Sequence, residues 1–260
     1  VLSGLMGSGK SSLCRLLSKI YPGAIWMNQD ELGKVPGAGQ KFLKGVRDAM
    51  DVAADSSTPQ LLLVDKMNHE LFHREGILGQ ADEVDWKGCG GLVVLVELAP
   101  PDGQWPVDQL RSRIEQRGSA HHTLTPSSTL DLQDVLTRTV ENWKPVTDEE
   151  RARYDSVIPI DMTVEAPNKA VTVATTLFTN GWTGALSWRE TANFAVNGHA
   201  KQPQALEGLP PWVQTLPAAQ PEAWSCFEGT DFGWQALQRF THQQWVQVQA
   251  DEEAWRKRKD

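Results

Sequence analysis

The chain has 260 residues and a mass of 28.8 kDa, enough for one sizeable α/β core with a small second element. It carries 33 Asp and Glu against 25 Lys and Arg, so any contact with nucleic acid has to come from a local basic groove rather than from overall charge. No apolar run reaches the roughly 18 to 20 residues of a membrane span, no basic-then-apolar leader opens the chain, and Cys14, Cys89 and Cys226 stand singly without metal-site spacing, so a cytoplasmic or nuclear protein with no membrane partner is expected.

In chain order, Val1–Ser3, Ala24–Asn28, Leu61–Val64, Gly91–Leu98 and Val157–Ile160 read as strands. Their runs are apolar without alternation, as strands covered on both faces are. Between and after them, Lys10–Ile20, Gln40–Ala54, Asn68–Gly79, Val107–Arg117, Leu130–Asn142 and Asn168–Phe178 carry apolar residues three and four apart and read as helices. The alternation predicts an α/β fold, a parallel sheet of about five strands flanked by helices, and the G-x-x-x-x-G-K-[ST] run Gly4–Ser11 between the first strand and the first helix makes it of P-loop NTPase type. From about Thr179 the chain turns Pro-, Gly- and Gln-containing and holds seven of the eleven Trp, with a last helix over Trp234–Lys259. Residues 1–180 are therefore expected to form the P-loop domain, and 181–260 an irregular Trp-rich extension packed on it. The basic end Arg256–Lys259 reads as solvated charge. The chain opens without Met and almost inside a motif, which reads as a domain of a longer polypeptide.

That motif is Gly4-Leu5-Met6-Gly7-Ser8-Gly9-Lys10-Ser11, a match to G-x-x-x-x-G-K-[ST] between a predicted strand and a predicted helix. Its glycines let backbone amides fold around phosphate oxygens, and the following helix points its N-terminus at the same charge. Gly4, Gly7, Ser8, Gly9, Lys10, Ser11 and Ser12 are the expected nucleotide-binding residues, with Lys10 on the β and γ phosphates and the Ser11 hydroxyl on Mg²⁺. A dinucleotide fingerprint fits less well, because Ser12 stands where it needs Gly or Ala. Asp30 follows the second strand, where a carboxylate takes the proton of an acceptor hydroxyl; Glu31 is its competitor. Asp65 ends an apolar strand in the manner of a Walker B acid and is the second expected Mg²⁺ residue.

Arg111, Arg113 and Arg117 share one predicted helix, with Arg113 and Arg117 four apart on one face, as in a lid that closes on a triphosphate. Lys34, Lys41, Lys44 and Arg47 form the candidate groove for backbone phosphates of the acceptor. His69-Glu70-Leu71-Phe72-His73 spells HExxH. It begins four residues after Asp65 in the first turn of a crossover helix, and no third ligand is signalled downstream, so His69 is assigned to the phosphoryl-transfer site rather than to zinc. His121-His122-Thr123 resembles half of a paired HxT phosphodiesterase site, and no second HxT occurs.

Over residues 1–165, four elements in order resemble the polynucleotide kinase domain of fungal-type tRNA ligases: the phosphate loop, Asn28-Gln29-Asp30, Val64-Asp65-Lys66-Met67-Asn68-His69, and the run from Arg113 through Arg117-Gly118 to His121-His122-Thr123. The resemblance implies transfer of the γ-phosphate of ATP or GTP, with Mg²⁺, to the 5′-hydroxyl of RNA such as tRNA fragments. It gives Asp30 as general base and Arg113 and Arg117 as lid arginines, and it implies ligase or phosphodiesterase domains in the parent chain. Lys34 stands in for the arginine that follows the general base in the related phage polynucleotide kinase. Two other readings stay open, a kinase of a small hydroxyl acceptor and a non-catalytic nucleotide-gated binding module.

Overall fold

A computed structural model describes residues 1–21, 24–32, 35–55, 60–117, 131–179 and 231–259. Its strands are β1 (Leu2–Ser3), β2 (Ile25–Asn28), β3 (Leu62–Asp65), β4 (Val94–Ala99) and β5 (Ser156–Asp161). The helices are α1 (Lys10–Ile20), α2 (Ala38–Ala54), α3 (Leu71–Glu83), α4 (Val107–Arg117), α5 (Leu132–Glu141), the short α6 (Asp148–Arg151), α7 (Ala166–Thr179) and, after the gap in description, α8 (Asp231–Lys259), with a 3₁₀ turn over Gln29–Leu32.

Every strand pair is parallel, and the side-chain period of two sorts each strand between two faces. Trp26, Leu63, Val96, Leu98, Ile158 and Ile160 pack with Leu13, Leu16 and Leu17 of α1 and with Ala170 and Val173 of α7. Their neighbours Met27, Leu62, Val64, Val93, Leu95 and Val157 pack on the other face with Phe42 and Val46 of α2 and Ile77 of α3. A third cluster, Leu5, Leu110, Ile114, Leu136 and Met162, seats α4 and α5 against the end of the sheet that carries the phosphate loop.

One expectation is corrected. Five parallel strands form, but their hydrogen-bond ladders close as a three-stranded sheet, β1-β4-β5, and a separate pair, β2-β3, so the largest sheet has three strands rather than about five. The reason is the length of β1. After two residues the backbone turns away at Gly4, and contact with β3 passes instead to Asn68, whose side-chain amide donates to Leu2 O at 2.8 Å while its backbone carbonyl accepts from Ser3 Oγ at 2.9 Å. Gly4 N completes the seam on Met67 O at 3.0 Å.

The last helix is part of the same body. Leu237, Thr241 and Val248 of α8 are buried, and Leu237 and Val248 join the cluster formed by α1 and α7. Arg15 of α1 pairs with Glu252, and Gln238 reaches Asn168 of α7 at 3.4 Å. No described helix is long and apolar enough to cross a membrane.

Candidate active site

The phosphate loop runs from β1 into α1 through three left-handed glycines, Gly4 (φ 153°), Gly7 (φ 79°) and Gly9 (φ 98°). At two of them a side chain is excluded by backbone as well. A Cβ on Gly4 would lie 2.8 Å from Leu98 O, and one on Gly7 would lie 2.9 Å from Leu110 O of α4. Lys10, the first residue of α1, is buried and arches back to donate to Gly4 O at 2.7 Å and Leu5 O at 2.8 Å. Ser8 is fully buried, and its hydroxyl has no hydrogen-bond partner among the described residues. Ser11 and Ser12 follow on α1, both half-buried.

At the carboxyl end of the neighbouring strands, the register sets Asn28 of β2 against Asp65 of β3. Asp65 is buried; the Ser11 hydroxyl donates to it, and so does Trp26 Nε1 at 3.3 Å. Burial holds the Asp65 carboxyl above its usual range, against the pull of Lys10, the Ser11 hydroxyl and the Trp26 indole, while the charge of Asp30 adds to the rise. Asp30 lies two residues past β2 in the 3₁₀ turn, half-buried, its amide donating to Asn28 Oδ1 at 3.0 Å. Asp65 thus lies beside Lys10 and Ser11, and the charge of Asp30 reaches it. A buried carboxylate bonded to a hydroxyl is the oxygen donor set that suits a hard cation such as Mg²⁺.

Beyond Asp65 the chain takes a left-handed residue, Asn68 (φ 45°), and Glu70 is extended, so α3 begins at Leu71 rather than at Asn68. His69 and Glu70 consequently precede the helix, and the HExxH segment lacks the one-turn geometry of a metalloprotease. His69 Nε2 lies 3.1 Å from Glu70 Oε1, and ligand atoms of His69, Glu70 and His73 all lie within 4.8 Å of one another. Burial lowers the pKa of both imidazoles; nearby cations add to the fall, and at His69 the Glu70 carboxylate opposes it. His69 lies below its usual value, and His73 is pushed down to about 4 with Lys66 the largest charge. The charge of Lys10 is among those that act on His69. Arg74 locks this turn. It is fully buried, grips Glu150 with Nε at 2.5 Å and Nη2 at 2.8 Å, and donates to Asn68 O and Lys144 O at 3.1 Å.

On the other side of the loop, Arg113 of α4 donates through Nη1 to Gly7 O and to Met162 O, each at 3.3 Å. Burial lowers its pKa. Arg111 is exposed and paired with Glu115 at 2.7 Å. Arg117 closes α4, and its side chain lies outside the described residues, as do Lys34 and the His121–Thr123 segment. The stripe expected to face RNA is partly spent on local carboxylates, since Lys44 meets Asp48 at 2.5 Å and Arg47 meets Glu83 at 2.9 Å, while Lys41 is exposed on the same helix. Sequence reading missed Trp26 and, above all, Lys169 of α7, whose Nζ donates to Ser8 O at 3.0 Å. A lone Lys in a helix more than 150 positions after the loop carries no motif.

Comparison with known proteins agrees with this architecture. The family model "tRNA ligase kinase domain" matches residues 2–163. No curated protein matches at a significant level. A crystal structure of a fungal RNA kinase superposes with a TM-score of 0.51 at 15% identity, covering 70% of this chain and 85% of that one, a likeness of fold. With the match spanning more than half of its length, the chain belongs to the tRNA ligase kinase domain family and is a phosphotransferase.

Proposed function

We propose that the protein is a polynucleotide 5′-kinase, moving the γ-phosphate of ATP or GTP to the 5′-hydroxyl of RNA, with tRNA fragments as the natural acceptors. The observation that carries this reading is that Lys10 and Ser11 after β1, Asp30 after β2 and Asp65 at the end of β3 act on one another, in a chain of this family. Lys10 and the loop amides would hold the β and γ phosphates, with Gly4, Gly7, Ser8, Gly9 and Ser12 shaping the cradle. Ser11 and Asp65 are the residues that would hold Mg²⁺, which when bound supplies charge neutralisation on the phosphates. Asp30 orients the 5′-hydroxyl and takes its proton as the oxygen–phosphorus bond forms and the bond to the β-phosphate oxygen breaks, releasing the nucleoside diphosphate. Arg113 and Arg117 stabilise the transferred charge, and His69 lines the acceptor side. Lys34, Lys41, Lys44 and Arg47 would guide the RNA backbone. In this reading residues 1–180 are the kinase unit and 181–260 an accessory segment, within a parent chain that joins ligase or phosphodiesterase domains in the cytoplasm or nucleus.

The ion pairs of Lys44 and Arg47 favour a second reading, a small hydroxyl acceptor, because they reduce the free charge beside Asp30. The two are separated by incubating the protein with Mg²⁺ and γ-labelled ATP or GTP together with short RNA bearing either a 5′-hydroxyl or a 5′-phosphate. Label appearing on the hydroxyl RNA alone is expected. Triphosphate turnover with both RNAs unlabelled would overturn the RNA reading.

A further inference from the structure

Four carbonyls of the phosphate loop accept hydrogen bonds from cationic side chains. Gly4 O and Leu5 O accept from Lys10, Gly7 O accepts from Arg113, and Ser8 O accepts from Lys169. A trans peptide is planar with its C=O and N–H opposed, so turning the Ser8 carbonyl toward Lys169 turns the Gly9 N–H the other way. Lys169 also donates to Met162 O at 2.8 Å, the carbonyl that Arg113 uses, so α4, the turn after β5 and the loop meet at one point.

The charge of Lys169 is the unexplained part. Its side chain is 3% exposed, and no carboxylate forms an ion pair with it among the described residues. The charged groups that face it are Arg113 from α4, Lys10 from α1 and Asp161 from β5. Asp161 already accepts from the amide and hydroxyl of Thr163 at 2.8 and 2.7 Å. Burying an ammonium beside two other cations is costly unless an anion completes the set. A Cβ on Gly9 would stand 3.3 Å from Lys169 Nζ, so the ammonium lies against the loop itself.

We infer that Lys169 is a positioning residue of the nucleotide site: it fixes the Ser8–Gly9 peptide of the phosphate loop, and its buried charge is balanced by the bound polyphosphate. The inference rests on the phosphate-loop reading and is independent of which hydroxyl accepts the phosphoryl group. Burial, reinforced by Arg113, pushes the ammonium down to about 8, and a bound polyphosphate raises it again, so binding weakens as pH rises past about 8.

The test is equilibrium binding of ATP, GTP and inorganic tripolyphosphate, each with Mg²⁺, to wild type, Lys169→Met and Lys169→Arg from pH 6.5 to 9.5, with thermal melts of the ligand-free proteins. Lys169→Met is expected to bind all three probes about ten- to a hundredfold more weakly, the loss of one charge-assisted hydrogen bond. Its affinity stays level where that of wild type declines, its ligand-free melting temperature is unchanged or higher, and Lys169→Arg keeps most of the affinity. Wild-type affinity in Lys169→Met, or a lowered melting temperature with unchanged binding by the folded fraction, would reduce Lys169 to a structural pin and overturn the inference. Failure of wild type itself to bind any probe would instead overturn the phosphate-loop reading on which the inference stands.

Discussion

Asp30 and Asp65 are both strand-end acids, but their surroundings differ. Asp65 is buried against the Ser11 hydroxyl and the Trp26 indole, whereas Asp30 is half-exposed in a turn where an acceptor has access. Lys10 and Ser11 were legible because their motif fixes the spacing, and Asp65 because an apolar strand led to it. Lys169 was not, since its role depends on where α7 crosses the loop. Lys10→Ala is expected to lower triphosphate binding and to slow transfer on the order of a hundredfold or more, read by titration and by product formation. Binding at the wild-type level would remove Lys10 from the site. His73 yields a pH prediction. Its pKa is about 4 in the folded chain against 6.5 when free, so the unfolded chain binds more protons between these values and stability falls as pH drops from 6.5 toward 4. A His73→Gln variant should show a shallower fall of melting temperature over that window, and an identical acid limb would contradict the assignment.

At the scale of elements, boundaries follow local backbone demands. The apolar spacing placed α1 and α4 where they occur, since a glycine-rich loop precedes one and Pro106 the other. It started α3 too early because the left-handed Asn68, held by Arg74 and Leu2, cannot be seen in periodicity. The expected single sheet failed at β1 for a similar reason, a strand cut short by the turn at Gly4. Two variants probe these joints. Gly7→Ala would place a Cβ 2.9 Å from Leu110 O at a left-handed φ, and should cost about 1–3 kcal/mol in urea unfolding as well as weaken triphosphate binding. Glu150→Ala strands the buried Arg74 and should cost about 3–5 kcal/mol, which a denaturation curve matching wild type would refute.

Across the whole molecule, the helix near the end of the sequence packs with elements near its start. The sequence predicts a last helix over Trp234–Lys259 and an extension packed on the core, but names no partner for it; Leu237 and Val248 of α8 enter the core beside Leu13 and Leu17 of α1. Val248→Asp should therefore lower the melting temperature of the whole protein in a single transition, and an unchanged melt would show α8 to be energetically separate. The parallel α/β order and the strand-end positions of both acids were readable from composition, period and motif, whereas the seam at Asn68 and the docking of α8 arise from contacts between distant positions. The central claim is that this assembly ends in transfer to an RNA 5′-hydroxyl with Asp30 as base. It is tested most directly by following labelled γ-phosphate from ATP and from GTP, with Mg²⁺, onto a 5′-hydroxyl RNA, using wild type and Asp30→Ala in parallel and measuring triphosphate binding for both. The account predicts labelled RNA with wild type, transfer lowered by about a hundredfold or more in Asp30→Ala, and nearly equal binding. Unlabelled RNA with wild type, or full transfer by Asp30→Ala, would contradict it.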